Sequence, residues 1–258
     1  MRLLAALLAL TCGMTAMAHA DALKDLAPTG KLRAAINLGN SVLAQSGPDG
    51  PKGVTVDLAR ELGKRLNVPV ELVTYDAAGK VFDDAKNNKW DIGFVAIEPV
   101  RAELIEFTAP YVLIEGTYMV HKDSPLKKVE DVDKPGIRIA VGLKSAYDLY
   151  LTRTIKNATI VRAEAGGGKA MIDMYLRDKL EVAAGVRQPL EDYAKTNPDM
   201  RVMDGYFQQI RQAMGVPKGK LDGANYLRAF VDEMKASGFV AEALKRIGQV
   251  AKVAPPER

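Results

Sequence analysis

Cysteine and histidine are almost absent from this chain of 258 residues, which contains one cysteine and two histidines. Cys12 and His19 lie in the first twenty residues, so His121 is the only imidazole beyond them. Disulfides, thiolate metal sites and cysteine nucleophiles are therefore not expected in the rest of the chain. A histidine triad or a multi-histidine zinc site would have to be built from one residue. The sequence thus predicts no metal and no cofactor, and it disfavours most hydrolytic chemistries.

Long apolar runs are missing as well. The run from Leu3 to Leu10 follows Arg2 and is shorter than the roughly 20 residues that a membrane-spanning helix needs. With the small residues of Ala18-His19-Ala20 behind it, the run is typical of a signal peptide over residues 1–20. We expect cleavage after Ala20 and export to the periplasm. Lipidation at Cys12 is a weaker alternative, because threonine is a poor residue before a lipidated cysteine.

Charge of one sign is not concentrated anywhere in the chain. The 36 lysines and arginines are interspersed with 32 aspartates and glutamates along the chain, and the net charge is +4. No basic helix or aromatic–basic platform is present, so no nucleic-acid partner is expected. The glycine run before Lys169 is not a phosphate loop, because Ala170 stands where that motif needs a hydroxyl.

Periodicity predicts alternating strands and helices. Val54, Leu58, Leu62 and Leu66 form the apolar stripe of a helix that ends at Asn67. Further helices are expected over 170–177, 221–237 and 239–247. Strands are expected over 30–37, 68–74, 92–97, 118–121, 137–141, 159–161 and 180–186. This order is typical of an α/β protein with parallel strands.

The segment from Trp90 to Tyr111 carries the strongest functional signal. Ile92 to Ile97 reads as a strand buried on both faces, and Pro99 suits the first position of a following helix. Arg101 then lies in the first turn of that helix, at the sheet edge where ligands of open α/β sheets bind. A guanidinium there can grip a carboxylate with two parallel hydrogen bonds. The alternative, which the local pattern supports equally well, is that Arg101 is solvated and paired with one of the nearby acids Glu98, Glu103 or Glu106.

Residues 90–101, together with 105–111, resemble the signature of periplasmic solute-binding proteins of polar amino-acid ABC importers, the family 3 extracellular solute-binding proteins. The similarity extends over nearly the whole chain after the signal peptide. It implies a two-lobed periplasmic binding protein fold of type II, each lobe a mixed sheet flanked by helices. Lobe 1 would comprise residues 21–112 and 206–258, and lobe 2 residues 113–205, joined by a two-crossing hinge. It also implies a monomer that closes on its solute and delivers it to a membrane permease.

The resemblance implies a set of ligand contacts. Arg101 would hold the carboxylate of the solute, with Ala96 at the end of the preceding strand. Ser145 and Ala146 would provide the contact from lobe 2, where two hydroxyl residues are usual. Asn37 and Asn40 would replace the acidic and aromatic residues common in the first loop. Ser145 also reads as a helix cap, in a capping box whose other member is the side chain of Asp148.

Two cations depart from the family pattern. Lys80 either binds an anionic group at the mouth of the cleft or is solvated, which is slightly favoured. Arg187 stands where an aspartate commonly pairs with the ammonium of the solute. It would welcome a second acidic group, or else it faces solvent beside Glu191. Glu115 reads as a structural salt-bridge partner more than as an amine contact. The solute is therefore expected to be anionic or zwitterionic, and the candidates are an amino acid, an acidic one included, or a dicarboxylate.

Binding without catalysis is the function expected first, but two alternatives stay open. Some proteins of this fold are periplasmic dehydratases, and this role would need a general acid such as Glu98, Glu115 or Glu164. Others serve as accessory proteins of periplasmic oxidoreductases, with a vestigial cleft. The loss of the aromatic residue and of the aspartate that family members commonly carry keeps that second alternative open.

Overall fold

Two long strands run through the sheet of this protein and join its two halves. The computed structural model describes residues 20–164 and 167–256. Residues 1–19 of the expected signal peptide (1–20), Cys12 among them, lie outside the described residues. In the described part, no helix is both long and apolar enough to cross a bilayer. The sheet has ten strands in the order β2-β1-β3-β9-β4-β7-β5-β6, with β8 and β10 also paired to β4.

The strands have the following bounds: β1 Leu32–Asn37, β2 Val70–Tyr75, β3 Ile92–Ala96, β4 Ile105–His121, β5 Arg138–Gly142, β6 Thr159–Ala163, β7 Val182–Val186, β8 Met200–Val202, β9 Gln208–Pro217 and β10 Lys252–Val253. The helices are α1 Val54–Leu66, α2 Ala78–Asp83, α3 Pro99–Ala102, α4 Ala146–Thr154, α5 Gly167–Arg177, α6 Arg187–Thr196, α7 Leu221–Ala236 and α8 Phe239–Arg246. A further helical segment covers residues 20–26.

The two halves of the sheet repeat one arrangement. In the first lobe β1 pairs in parallel with β2 and β3, and β9 closes the group antiparallel to β3. In the second lobe β5 pairs in parallel with β6 and β7, and β4 lies antiparallel to β7. Strands β3 and β7 are buried almost throughout, as their apolar sequences predict. The predicted two-lobed α/β architecture is confirmed, with the mixed sheets of the two lobes joined into one sheet of ten strands.

Strand β4 carries the chain from one lobe to the other. It pairs with β9 from Ile105 to Gly116, and from Gly116 onward it pairs with β7. The predicted strand over 118–121 is therefore only the end of a strand of 17 residues. Pro110 concealed its first part, because proline lacks the N–H that a strand pairs; the register shifts on both sides of this residue. The hinge positions between 112 and 113 and between 205 and 206 stay a prediction.

Most helix ends follow the predicted signals. Helix α1 ends at Asn67, which takes the left-handed conformation (φ 55°) and donates its N–H to the carbonyls of Gly63 and Lys64. Helix α5 begins at Gly167, earlier than the predicted start at Ala170. A positive φ of 57° at Gly167 explains the glycine at that position.

Each lobe has an equivalent arginine–carboxylate ion pair, which joins the first and third of its parallel strands in chain order. The backbone N–H and guanidinium of Arg33, at the start of β1, donate to the carboxylate of Asp91, just before β3. Arg138 at the start of β5 donates in the same way to Glu181, just before β7. The two pairs differ in burial, because the side chain of Asp91 is 3% exposed whereas that of Glu181 is 34% exposed.

This difference gives a matched test of burial. We expect Asp91→Ala to lower the free energy of unfolding by about 3 kcal/mol, since it leaves buried donors of Arg33 unpaired. Glu181→Ala should cost about 1 kcal/mol or less, because water reaches that pair. Urea denaturation of both variants measures the effect. Equal losses would show that burial does not set the strength of these pairs.

Candidate functional site

A cavity of about 670 Å³ lies between the two lobes. Five parallel strands end at it, so their last residues, Asn37, Ala96, Gly142, Ala163 and Val186, all belong to its wall. This is the edge of an open α/β sheet at which ligands bind. The rest of the wall is largely apolar and includes Met171, Ile172, Pro189, Leu190, Tyr193 and Ile210.

Arg101 lines this cavity, although its side chain is fully buried. Helix α3 begins at Pro99, in the first helical position, and carries Arg101 back over the end of β3. The guanidinium donates through Nη1 to the carbonyl of Ala96, at 3.0 Å, and through Nη2 to that of Lys144, at 2.9 Å. Nε has no partner among the described residues. The alternative of a solvated Arg101 is therefore wrong.

The charge of Arg101 is only partly compensated by the protein. Burial lowers the pKa of Arg101 to about 10, against the smaller opposing effect of Glu98. The group stays charged at neutral pH, but its charged form is disfavoured by the loss of water. An anion in the cavity would supply the missing compensation, so the site is electrostatically prepared for a carboxylate.

Glu98 lies beside Arg101 in the chain but is turned away from the cavity. Its carboxylate accepts a hydrogen bond from Nε2 of Gln208, at 2.8 Å, and forms an ion pair with Arg153 of helix α4, at 2.7 Å. Because Arg153 belongs to the second lobe and Glu98 to the first, this buried carboxylate links the lobes.

Lys144 forms a second link between the lobes. Its backbone, in the left-handed region (φ 56°), directs the carbonyl at Arg101, and its Nζ forms an ion pair with Asp83 at 2.6 Å.

A third contact between the lobes is made by backbone alone, where Gly167 of the second lobe packs on Gly39 of the first. A Cβ added to Gly167 would lie 2.8 Å from the Cα of Gly39. The structure is therefore a closed form in which the lobes touch around the cavity.

Ser145 and Ala146 lie on the second-lobe side of the cavity. Ser145 is the predicted cap of helix α4, since its hydroxyl accepts the N–H of Asp148 at 3.0 Å. The Asp148 carboxylate reaches back to the N–H of Lys144, at 2.7 Å, one residue before the cap itself. The reciprocal bond of the predicted capping box is thus shifted by one residue, and it holds the backbone of Lys144, whose carbonyl meets Arg101.

Asn37 and Asn40 line the cavity from the first lobe. Each uses its side-chain oxygen to shape the loop after β1: Asn37 accepts the N–H of Gly39, and Asn40 that of Val42. Together with Arg101, Ala96, Ser145 and Ala146, they are the six predicted site residues that the structure brings to one cavity. A ligand role for each stays a proposal.

The ligand role considered for Arg187 and for Lys80 needs correction, because neither residue lines the cavity. Arg187 opens helix α6, and its Nε donates to Glu115 of β4 at 2.6 Å. The other guanidinium nitrogens reach Glu191 and the carbonyls of Met203 and Gly205. The expected structural role of Glu115 is thus confirmed. Lys80 is paired with Asp76 one helical turn away, at 2.8 Å.

Gln212 is a cavity residue that sequence reasoning missed. It lies in β9, is 6% exposed and lines the cavity with its neighbour Ile210. The signal was present in the alternation of β9, where Ile210, Gln212, Met214 and Val216 share one buried face. A single amide on an otherwise apolar, buried face indicates a role in binding a polar group.

The chain matches the model of the bacterial extracellular solute-binding proteins, family 3, over residues 41–249, and it belongs to that family. The resemblance drawn from residues 90–111 is thereby confirmed, and the class is that of the solute-binding proteins of amino-acid ABC transport. Among curated relatives, the L-cystine-binding protein TcyJ of Escherichia coli strain K12 is 24% identical over 242 residues, covering 89% of this chain and 88% of TcyJ.

Solved structures show the same two-lobed fold. A mutant of the arginine-binding protein ArgBP from T. maritima superposes with a TM-score of 0.74 at 20% identity, covering 87% of this chain and 98% of that one. The ancestral amino acid-binding protein AncCDT-1, a precursor of cyclohexadienyl dehydratase, gives 0.73 at 22% identity, with the same coverage. A binding component from Wolinella succinogenes complexed with lysine gives 0.72 at 22% identity, covering 84% and 95%.

The contact between Gly167 and Gly39 gives a test of closure. We expect Gly167→Ala to hold the lobes apart, because the new methyl group meets the backbone of the first lobe. Gly136→Ala is the matched control: its φ is also positive, at 85°, but nothing lies within 4 Å of the added Cβ. Both variants carry the backbone strain of about 1–2 kcal/mol. Small-angle X-ray scattering with solute bound should show a larger radius of gyration for Gly167→Ala alone; equal radii would contradict the closed contact.

Proposed function

We propose that this protein is the extracytoplasmic solute-binding component of an ABC importer, which captures a small solute through one carboxylate and delivers it to the permease. The observation that carries the proposal is the fully buried guanidinium of Arg101, with a free Nε, in the wall of the cavity between the lobes. The family and the relatives that bind amino acids support an amino acid as the class of solute.

The charges around the cavity favour one carboxylate over two. The case for an acidic amino acid or a dicarboxylate depended on Arg187, which is occupied by Glu115 outside the cavity. The second cation in the described cavity wall, Lys169, is exposed and already paired with Asp173 at 2.6 Å. Because the remaining wall is mostly apolar, the solute we favour has one carboxylate and a largely apolar body.

Closure of the hinge is the mechanism of capture in this proposal. Arg101 hydrogen-bonds to both lobes, since Ala96 belongs to the first and Lys144 to the second. A solute on Arg101 would therefore add contacts that exist only when the lobes meet, which biases the equilibrium toward the closed form. The same proposal includes the predicted hinge at 112/113 and 205/206, a monomeric protein and a periplasmic location.

The enzymatic alternative has less support in the geometry. Of the three acids considered as general acids, Glu98 and Glu115 are engaged in ion pairs outside the cavity wall. Glu164 reaches the wall, but its side chain is exposed. The accessory-protein alternative is disfavoured by the size of the cavity and by the buried charge in its wall.

Native mass spectrometry of the purified protein separates these functions. We expect a co-purified small molecule with one carboxylate, recovered chemically unchanged after long incubation. Conversion of the recovered molecule to a dehydrated product would favour the enzyme. A protein that carries no small molecule, but co-purifies with an oxidoreductase, would favour the accessory role.

Arg101→Met tests the anchor directly. Losing one member of a buried guanidinium–carboxylate pair costs about 2–5 kcal/mol, so we expect solute affinity to fall by roughly 30- to several-thousand-fold. The unfolding free energy of the solute-free protein should change by about 1 kcal/mol or less, because the relief of a buried charge offsets two lost hydrogen bonds. Titration calorimetry with the co-purified solute and urea denaturation measure the two effects.

Arg187→Met is the matched control for that experiment. Because Arg187 supports the lobe crossing and not the cavity wall, its removal should lower stability while leaving solute affinity unchanged. Unchanged affinity in Arg101→Met would remove Arg101 from the site. A large loss of affinity in Arg187→Met alone would support the hypothesis that Arg187 binds a second acidic group of the solute.

A further inference from the structure

Gln212 presents its amide to the cavity. The residue is 6% exposed and lines the cavity, and its amide has no hydrogen-bond partner among the described residues. Polar groups enclosed by a protein are usually satisfied by a protein group, a water or a ligand. The cavity itself is therefore the place where its partner would lie.

The register of the sheet places Gln212 next to the anchor. Gln212 is directly opposite Ala96 in the antiparallel pairing of β3 and β9. Paired residues of antiparallel strands point to the same face, with Cβ atoms about 5 Å apart. The carbonyl of the same Ala96 holds Nη1 of Arg101. The cavity wall thus contains both the amide of Gln212 and the guanidinium of Arg101, and Ala96 neighbours each of them.

The neutrality of Gln212 has a physical reason. A carboxylate at this position would be drawn to the free Nε of Arg101 and would occupy the anchor in place of the solute. The carboxylates that do line the described cavity wall, Glu164 and Asp173, are both exposed, and Asp173 is paired with Lys169. A polar group on the solute next to its carboxylate would consequently meet an uncharged amide.

We propose that Gln212 is a specificity-determining residue that hydrogen-bonds the polar substituent on the carbon next to the carboxylate. Its Oε1 accepts from the ammonium of a 2-amino acid or from the hydroxyl of a 2-hydroxy acid. The cavity therefore distinguishes these solutes from a simple carboxylic acid of the same shape. This inference rests on the proposed function, because it takes the carboxylate to be held by Arg101.

A pair of probes that differ only in that substituent tests the proposal. L-leucine carries the ammonium, whereas 4-methylpentanoate has the same apolar body without it. In Gln212→Leu we expect the affinity for L-leucine to fall roughly 10- to 100-fold, the equivalent of one hydrogen bond to a charged group. The affinity for 4-methylpentanoate should change by less than about threefold, because that probe makes no bond to the amide. Titration calorimetry with both probes gives the ratio.

Gln209→Leu is the matched control, because Gln209 lies on the same strand but is exposed. It should leave both affinities unchanged. Gln212→Glu adds a second readout: its carboxylate should occupy Arg101 and remove binding of both probes, with the fold retained by circular dichroism. Binding of both probes by Gln212→Glu as in the wild type would show that the two side chains are not neighbours.

The outcomes separate this inference from the proposed function. Equal losses of affinity for both probes in Gln212→Leu would overturn the inference and leave Arg101 as the anchor. Wild-type binding of 4-methylpentanoate but not of L-leucine would overturn it too, since the polar substituent would then be rejected. If the wild type binds neither probe, the proposed class of solute fails, and the inference falls with it.

Discussion

One buried guanidinium sets the requirements for the rest of this structure. Arg101 has lost its water, and burial lowers its pKa to about 10. The described residues supply two carbonyls, one from each lobe, but no carboxylate at hydrogen-bonding distance. The cost of this arrangement is tolerable only if the fold holds the carbonyls rigidly. The end of β3 fixes Ala96, and the capping box of α4 fixes Lys144, so local structure in both lobes serves the same side chain.

The other charges near the cleft are used to hold the lobes, and their pairing explains why the cavity is mostly neutral. Arg187 and Glu115 brace the strand that crosses between the lobes. Glu98 with Arg153, and Lys144 with Asp83, connect one lobe to the other. Charges satisfied by each other are unavailable to a solute. Arg101 and Gln212 are two polar groups of the described cavity wall that retain free hydrogen-bonding capacity.

Two cations next to the cleft are paired within the protein for the same physical reason. The sequence leaves a ligand role open for Arg187 and Lys80, because their positions follow β7 and lie in α2, next to the cleft. Position along the chain does not decide where a flexible side chain ends: Glu115 of β4 binds Arg187, and Asp76, just before α2, binds Lys80. Strand β4 was underestimated because Pro110 interrupts its alternation, whereas its pairing with β9 depends on residues a hundred positions away.

The sequence by itself determined the α/β class, most of the strands and helices, the cap at Ser145 and the arginine that follows β3. These features follow from local patterns: apolar runs, the period of the helix, and the chemistry of proline and of capping residues. Tertiary structure alone decided which polar groups meet. The carbonyl of Lys144 reaches Arg101, Gln212 stands opposite Ala96, and Arg187 turns to Glu115, because these contacts depend on the pairing of distant strands and on the closure of two lobes. Such contacts leave little local trace in the sequence.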